Sequence, residues 1–246
     1  MKVLFMGGGQ AAQEVLDWTI AQSHIEIVGV IGDEEVQKCA CAHNCRIMEL
    51  DEAYQELHES SEWTDLAISF LYWRILKAPI IDVPKYGCIN FHPAPLPDYK
   101  GRAGCSFAIL DQLTEWGCTA HYVDAGIDTG KIIDVERFSF DWHTETGASL
   151  KRKTAEMQKN QYKKIMSNVL ACGILHAEKQ MQNRGRYISK KEMLDAMEIH
   201  VGKDNIDAKI QAFWFPPHEG AYLTIQGKRF FPVNRVVLEQ IKEKWA

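Results

Sequence analysis

Short apolar runs, the first two closed by glycine, alternate over the first half of the chain with stretches in which apolar residues recur every three or four positions. Lys2 to Met6 is apolar and ends in Gly7-Gly8-Gly9, after which Ala11, Ala12, Val15, Leu16, Trp18 and Thr19 fall at helical spacing. Ile25 to Ile31 is a second β-rich run, closed by Gly32-Asp33; Asp65 to Phe70 is a third and Cys88 to Phe91 a fourth. Strands alternating with helices predict βαβ units. The expected class is therefore α/β, a Rossmann-like and mostly parallel sheet with helices on both faces. Beyond residue 100 the pattern predicts a helix over Gly104 to Leu113 and strands at Gly117 to Val123 and Lys131 to Val135. A compact loop, Asp124 to Gly130, joins those two strands and carries two acids and two glycines.

The fourth strand ends abruptly. Asn90-Phe91-His92 is followed by Pro93, Pro95 and Pro97, which neither a strand nor a helix interior accommodates, so the chain must leave the sheet there. Asn90 and His92 share a parity, so if the strand persists to His92 their side chains leave the same face of it. A carboxamide beside an imidazole at the C-terminal end of a strand stands where open α/β sheets bind their ligands. An Asn-x-His at such a place also fits an ordinary turn with a satisfied histidine, and Asp124 and Asp128 alone fit solvated turn acids. The proline run is expected to fix the exit path, with Leu96-Pro97 in the cis form.

Composition is that of an ordinary globular chain, with 46% hydrophobic and 25% charged residues among 246. A net charge of −5 gives no basic footprint for nucleic acid. No run of about 18 apolar residues occurs, so no membrane span is expected, and the chain reads as cytoplasmic. Seven scattered cysteines fit free thiols better than a disulfide framework. Cys39, Cys41, His43 and Cys45 are zinc-ligand types, yet on a helix residues two apart diverge, and on a strand the four would spread over about 20 Å. We therefore assign no metal to them.

Gly7, Gly9 and Ala12 match G-x-G-x-x-A after a strand, and Asp33 lies about where a ribose-binding acid would. Two readings fit: a nicotinamide-dependent oxidoreductase using NAD(P), or the tight first turn that any doubly wound fold needs.

Further residues separate these readings. Asn90-Phe91-His92-Pro93, then Leu96-Pro97, Tyr99-Lys100-Gly101 and Asp128-Thr129-Gly130, resemble the folate-dependent formyltransferase family, in which His92 and Asp128 would be 128 − 92 = 36 residues apart. Tyr72-Trp73-Arg74-Ile75-Leu76 resembles the family's Arg-Ile-Leu segment. The resemblance runs from residue 1 to about 180 and implies 10-formyltetrahydrofolate as formyl donor. Its flat pterin wants an apolar slot lined by main-chain groups. Trp73, Arg74, Ile75 and Leu76 on one side, and Asp124, Ala125, Gly126 and Ile127 on the other, are the residues expected to make it. For Ile75 and Leu76 the alternative is plain core, and for Arg74 plain solvation.

Formyl transfer occurs when a neutral amine attacks the formyl carbon, so a tetrahedral oxyanion forms, the attacking nitrogen loses a proton and the leaving nitrogen gains one. Such a site needs an oxyanion donor, a proton carrier and something to orient them. Asn90 supplies an N–H donor, His92 a second donor or the shuttle, and Asp128 a partner that holds the imidazole. No serine or cysteine nucleophile is needed.

The resemblance divides the chain into a catalytic domain, 1–182, and a C-terminal extension, 183–246, of 246 − 182 = 64 residues. Ala221 to Phe231 reads as a hairpin with Gln226-Gly227 at its turn, like the short β-rich tail of sugar-nucleotide N-formyltransferases, which implies a homodimer. Trp214, Phe215, Phe230 and Phe231 suit an interface or packing on the parent domain. The expected acceptor is an amino-dideoxy sugar linked to dTDP or UDP, a precursor of surface polysaccharide such as lipopolysaccharide O-antigen. Glycinamide ribonucleotide is the alternative. Candidates for the diphosphate are Lys77, Tyr99, Lys100, Arg102 and the turn Gly7, Gly8, Gly9.

Overall fold

The computed structural model describes residues 1–181 and 184–245. The chain forms two compact units: the first takes Met1–His92, Cys118–Glu136 and Ala155–Arg184, the second Pro93–Gly117, Arg137–Thr154 and Gly185–Ala246. The division expected at 182/183 falls on Gln182 and Asn183, outside the described residues.

In chain order the elements are β1 (Lys2–Gly7), α1 (Gln10–Ile20), β2 (Glu26–Gly32), α2 (Glu34–Ala42), α3 (Leu50–Glu59), β3 (Leu66–Phe70) and β4 (Cys88–His92). There follow β5 (Tyr99–Gly101), α4 (Gly104–Leu110), β6 (Glu115–Tyr122), β7 (Ile132–Ser139) and α5 (Gly147–Cys172). The chain closes with β8 (Arg186–Ile188), α6 (Lys190–Ala196), α7 (Ile206–Ala212), β9 (Leu223–Ile225), β10 (Lys228–Phe230) and α8 (Arg235–Trp245). Six strands form one sheet in the order β2-β1-β3-β4-β6-β7. The pairs β1–β2, β1–β3 and β3–β4 are parallel and β4–β6 is antiparallel, which is the mostly parallel sheet expected.

Alternation along these strands builds two core layers in the first unit. Val3, Phe5, Ile68, Phe70, Ile89 and Phe91 face one side, with Val15 and Leu16 of α1 and Tyr162 and Met166 of α5. Leu4, Met6, Ala67 and Cys88 face the other, against Leu50, Ala53 and Leu57 of α3. Each layer excludes water from apolar side chains, worth roughly 1.5–3 kcal/mol for each large one fully buried. Gly7 is fixed by this packing: a Cβ there would lie 2.8 Å from the Ala12 Cβ and the Phe5 ring. The glycine and Ala12 thus allow α1 to approach β1 closely.

The second unit has its own core, in which Ala108, Ile109, Trp116 and Leu150 meet Ile199, Ala212, Phe213 and Val237. The hairpin β9–β10 forms as expected, with Gln226 at φ 49 and Gly227 at φ 73 as its two left-handed turn residues. Three helices, α6, α7 and α8, accompany it. Trp214 packs against the core of this unit, and the Phe215 ring covers Gly147, so of the two readings for these aromatics packing holds. Leu96-Pro97 is cis.

Candidate active site

The C-terminal end of β4 gathers polar side chains from three neighbouring strands on the face opposite Phe91. Parallel pairing with β3 sets Ser69 beside Asn90, and antiparallel pairing with β6 sets His121 opposite it. The Ser69 hydroxyl donates to Asn90 Oδ1 at 2.7 Å. His121 Nδ1 lies 2.8 Å from the Tyr122 carbonyl, which can only accept, so Nδ1 carries the proton and Nε2 is the acceptor. Asn90 Nδ2, 3.0 Å from that Nε2, donates to it. The amide of Asn90 is thereby held in one orientation, and its second N–H is left for a ligand.

Asp128 completes the cluster from the loop after β6. Its Oδ1 lies 3.6 Å from His92 Nδ1 and 3.8 Å from His121 Nε2. The side chains are 12%, 8% and 3% exposed for Asp128, His92 and His121. At such burial the field of a carboxylate is weakly screened. Burial pushes the His121 imidazole down to about 4; the Asp128 charge opposes the fall and His92 adds to it. His121 is therefore neutral at physiological pH, as its hydrogen bonds require.

The loop is held from inside. Asp128 has φ 55, and Gln180 Nε2 donates to the Asp128 carbonyl at 2.9 Å and the Gly130 carbonyl at 2.8 Å. Asp124 Oδ1 accepts from Gly126 N at 3.0 Å and Thr129 Oγ1 at 2.6 Å. Asp124 builds the loop, so what the loop offers outward is exposed Ala125, Gly126 and Ile127.

Trp73 and Ile75 are exposed apolar side chains in the segment after β3, and Arg74 is exposed beside the Tyr72 hydroxyl. A Cβ on Gly8 would lie 2.8 Å from the Trp73 ring, so the glycine turn and Trp73 adjoin. Leu76 is buried with Ile80 in the core, which corrects its assignment to the slot. Lys77 is exposed, and its main-chain N–H donates to the Tyr54 hydroxyl at 3.1 Å.

The glycine turn differs from expectation. Gly8 N donates to the Phe70 carbonyl at 3.2 Å, and Gly9 N donates to Asp33 Oδ2 at 2.6 Å. Asp33 also caps α2 through Val36 N at 3.3 Å. Both donors, and the acid that a nicotinamide reading would place on a ribose, are used within the protein. Gly8 and Gly9 are thus corrected as phosphate donors.

Tyr99, Lys100 and Arg102 belong to the second unit. The Tyr99 hydroxyl donates to Asp111 Oδ2 at 2.7 Å and its ring stands edge-on to Trp116, so its visible work is in that unit's packing. Lys100 is half-buried in β5, which pairs with β8, and Arg102 is exposed.

Ser69, His121 and Gln180 were not singled out from the sequence. The usable signal was polarity: Ser69 interrupts Leu66-Ala67-Ile68-Ser69-Phe70, and His121 lies in an otherwise small and apolar run. The one thiol in β4, Cys88, is fully buried and its pKa is raised by burial, so the strand end presents no thiolate. The arrangement can donate to an oxyanion and carry a proton.

A family profile described as "Formyl transferase" matches residues 46–166. A methionyl-tRNA formyltransferase of Lachnospira eligens is 26% identical over 99% of this chain and 81% of its own length. Among solved structures, a 4-N formyltransferase from Francisella tularensis superposes with a TM-score of 0.80 at 19% identity, over 95% of this chain and 96% of that one. An N-formyltransferase from Helicobacter canadensis, in complex with folinic acid and dTDP-3-aminofucose, gives 0.77 at 22% identity, over 94% and 86%. Residues 46–166 are a formyl transferase domain.

Proposed function

We propose that the chain transfers the formyl group of 10-formyltetrahydrofolate to the amine of a sugar carried on a nucleoside diphosphate. The observation that carries the formyl-transfer chemistry is the strand-end cluster: a fixed amide donor, an imidazole and a carboxylate. Asn90 donates its second N–H to the formyl oxygen, where charge develops. His92 takes the proton from the attacking amine and returns one to the leaving nitrogen, and Asp128 stabilises the imidazolium between those events. Ser69 and His121 keep Asn90 aimed, so no reorganisation is needed at the moment of reaction.

The exposed Trp73, Ile75 and Ile127, with exposed Ala125 and Gly126, suit a flat apolar ring with polar edges. The space over Gly8, which a Cβ would close against Trp73, fits the same purpose. The sugar-nucleotide acceptor is supported by the likeness to sugar N-formyltransferases, which runs through nearly the whole chain. Methionyl-tRNA is the acceptor named for the Lachnospira relative; a net charge of −5 speaks against it here. Exposed Ile225, Phe230 and Phe231 on the hairpin support a homodimer.

The test is release of tetrahydrofolate on incubation with the formyl donor and amino-sugar nucleotides of differing base, bearing the amine at the 3 or 4 position. Turnover with one of these is expected. Turnover confined to methionyl-tRNA or to glycinamide ribonucleotide would refute the sugar acceptor while leaving formyl transfer intact.

A further inference from the structure

α1 and α2 lie side by side in the first unit, and their contact brings together three metal-ligand types that are distant in sequence. A carboxylate oxygen of Asp17, Cys39 Sγ and a ring nitrogen of His43 all lie within 4.8 Å of one another. Cys39 and His43 are four apart, hence on one face of α2, where Asp17 of α1 meets them. Cys41, two residues from each, is exposed, as the divergence of such spacing requires. Beyond the helix, Asn44 at φ 55 turns the chain back, with Asn44 N donating to the Cys41 carbonyl at 3.1 Å and Cys45 N to the Ala40 carbonyl at 2.9 Å. That reversal lays half-buried Cys45 against the same core layer as Cys39.

We propose that Asp17, Cys39 and His43 form a binding site for zinc or another thiophilic divalent cation, with Cys45 as fourth ligand. One carboxylate, one imidazole and one or two thiols are a donor set such ions accept. Bonds of about 2.0 to 2.3 Å place the ligands of a tetrahedral ion roughly 3.3 to 3.8 Å apart, so shifts of about 1 Å bring Asp17, Cys39 and His43 into range. The side chains that must move are the free ones: His43 is 40% and Asp17 61% exposed, while Cys39, at 6%, is the fixed anchor.

His43 Nε2 is hydrogen-bonded to Asp17 Oδ1 at 2.8 Å. Binding releases the thiol proton to solvent and moves the imidazole proton from Nε2 to Nδ1, and the ion cross-links the two helices.

The experiment uses the whole chain, reduced and stripped with a chelator, and titrates it with cobalt(II) as a spectroscopic stand-in for zinc. One equivalent is expected to bind, with a thiolate-to-cobalt charge-transfer band that zinc abolishes. Cys39→Ser should lose the band, His43→Ala should bind at least about tenfold more weakly, and Cys41→Ser should match the unaltered chain. Because Cys39 is buried, thermal melting of the metal-free variants checks folding; His43→Ala, at the surface, decides the matter if Cys39→Ser does not fold. No saturable uptake, or uptake undiminished in His43→Ala, would overturn the site. A weaker band in Cys45→Ser supports the fourth ligand, and an unchanged one removes it.

Discussion

Asp128 with His92 and His121, and Asp17 with His43, are both carboxylate–imidazole groupings of the first unit, set in opposite surroundings. The first is nearly sealed, its distances are 3.6 and 3.8 Å, and one of its imidazoles is forced neutral. The second is open, closes to 2.8 Å, and has a thiol within 4.8 Å. Burial decides the difference. A sealed carboxylate is costly to leave without partners and acts strongly on its neighbours' protons, whereas an open pair is screened and contributes little until a third partner arrives.

The largest expected effect lies in the sealed group. Asn90→Ala or His92→Ala should lower the turnover number by about 10²- to 10³-fold, as removal of a donor does at other acyl-transfer sites, and steady-state kinetics checks this. Turnover near that of the unaltered chain in either variant would remove the functional contrast altogether.

Next comes the pH dependence of stability. Between the ordinary histidine pKa of 6.5 and about 4, the unfolded chain takes up a proton that folded His121 does not. Stability therefore falls as pH drops through that window; above it both states are neutral there, and below it both are charged. The contribution is on the order of 3 kcal/mol. His121→Gln should flatten this part of the curve of unfolding midpoint against pH, and an equally steep fall in the variant would place the effect elsewhere.

Gln180→Ala should cost about 1–3 kcal/mol by chemical denaturation, since two carbonyls lose their donor. It should also lower turnover, because the backbone at Asp128 is left-handed and Gln180 holds it there. Loss of stability without loss of turnover would limit Gln180 to packing. Smallest of all, His43→Ala in metal-free protein should shift stability by about 0–1 kcal/mol, as exposed pairs do. A larger shift would mean that the open pair is less screened than its exposure implies.

The strands and the active strand end were legible because their signals are local. Apolar runs mark β1 to β4, glycine closing the first two, and three prolines soon after His92 leave the chain one course. The longest helix was not legible. Along α5 the buried positions are Gly147, Ser149, Leu150, Thr154, Gln158, Gln161, Tyr162, Ile165, Met166 and Val169, a helical stripe whose first turns are polar. Gln158 and Gln161 are buried amides, and they hide the apolar period that would have announced the helix. β7 likewise runs on past Val135 through charged Glu136 and Arg137.

Within the site, Asn90, His92 and Asp128 could be named from the sequence, but the groups that orient them could not. Ser69 and His121 meet Asn90 through strand register, 21 and 31 residues away along the chain, and Gln180 reaches Asp128 from 52 residues on. Register is a property of the assembled sheet, not of any short segment. The same holds for Asp17, Cys39 and His43: spacing along α2 argued against a metal, and the third ligand comes from another helix.

The interleaving of the two units has a consequence in time. Everything the first unit needs has been made once Arg184 is synthesised, whereas the second still waits for Gly185–Ala246, which supplies Ile199, Phe213 and Val237 to its core. At about 5–20 residues per second, those 246 − 184 = 62 residues take roughly 3 to 12 s to emerge. During that interval Trp116, Ile109 and Leu150 have no finished core to enter, while the strand end bearing Asn90 and His92 can already be in place. A nascent chain stalled in this window should present a formed catalytic sheet and a sticky, half-built neighbour, the state a chaperone would meet.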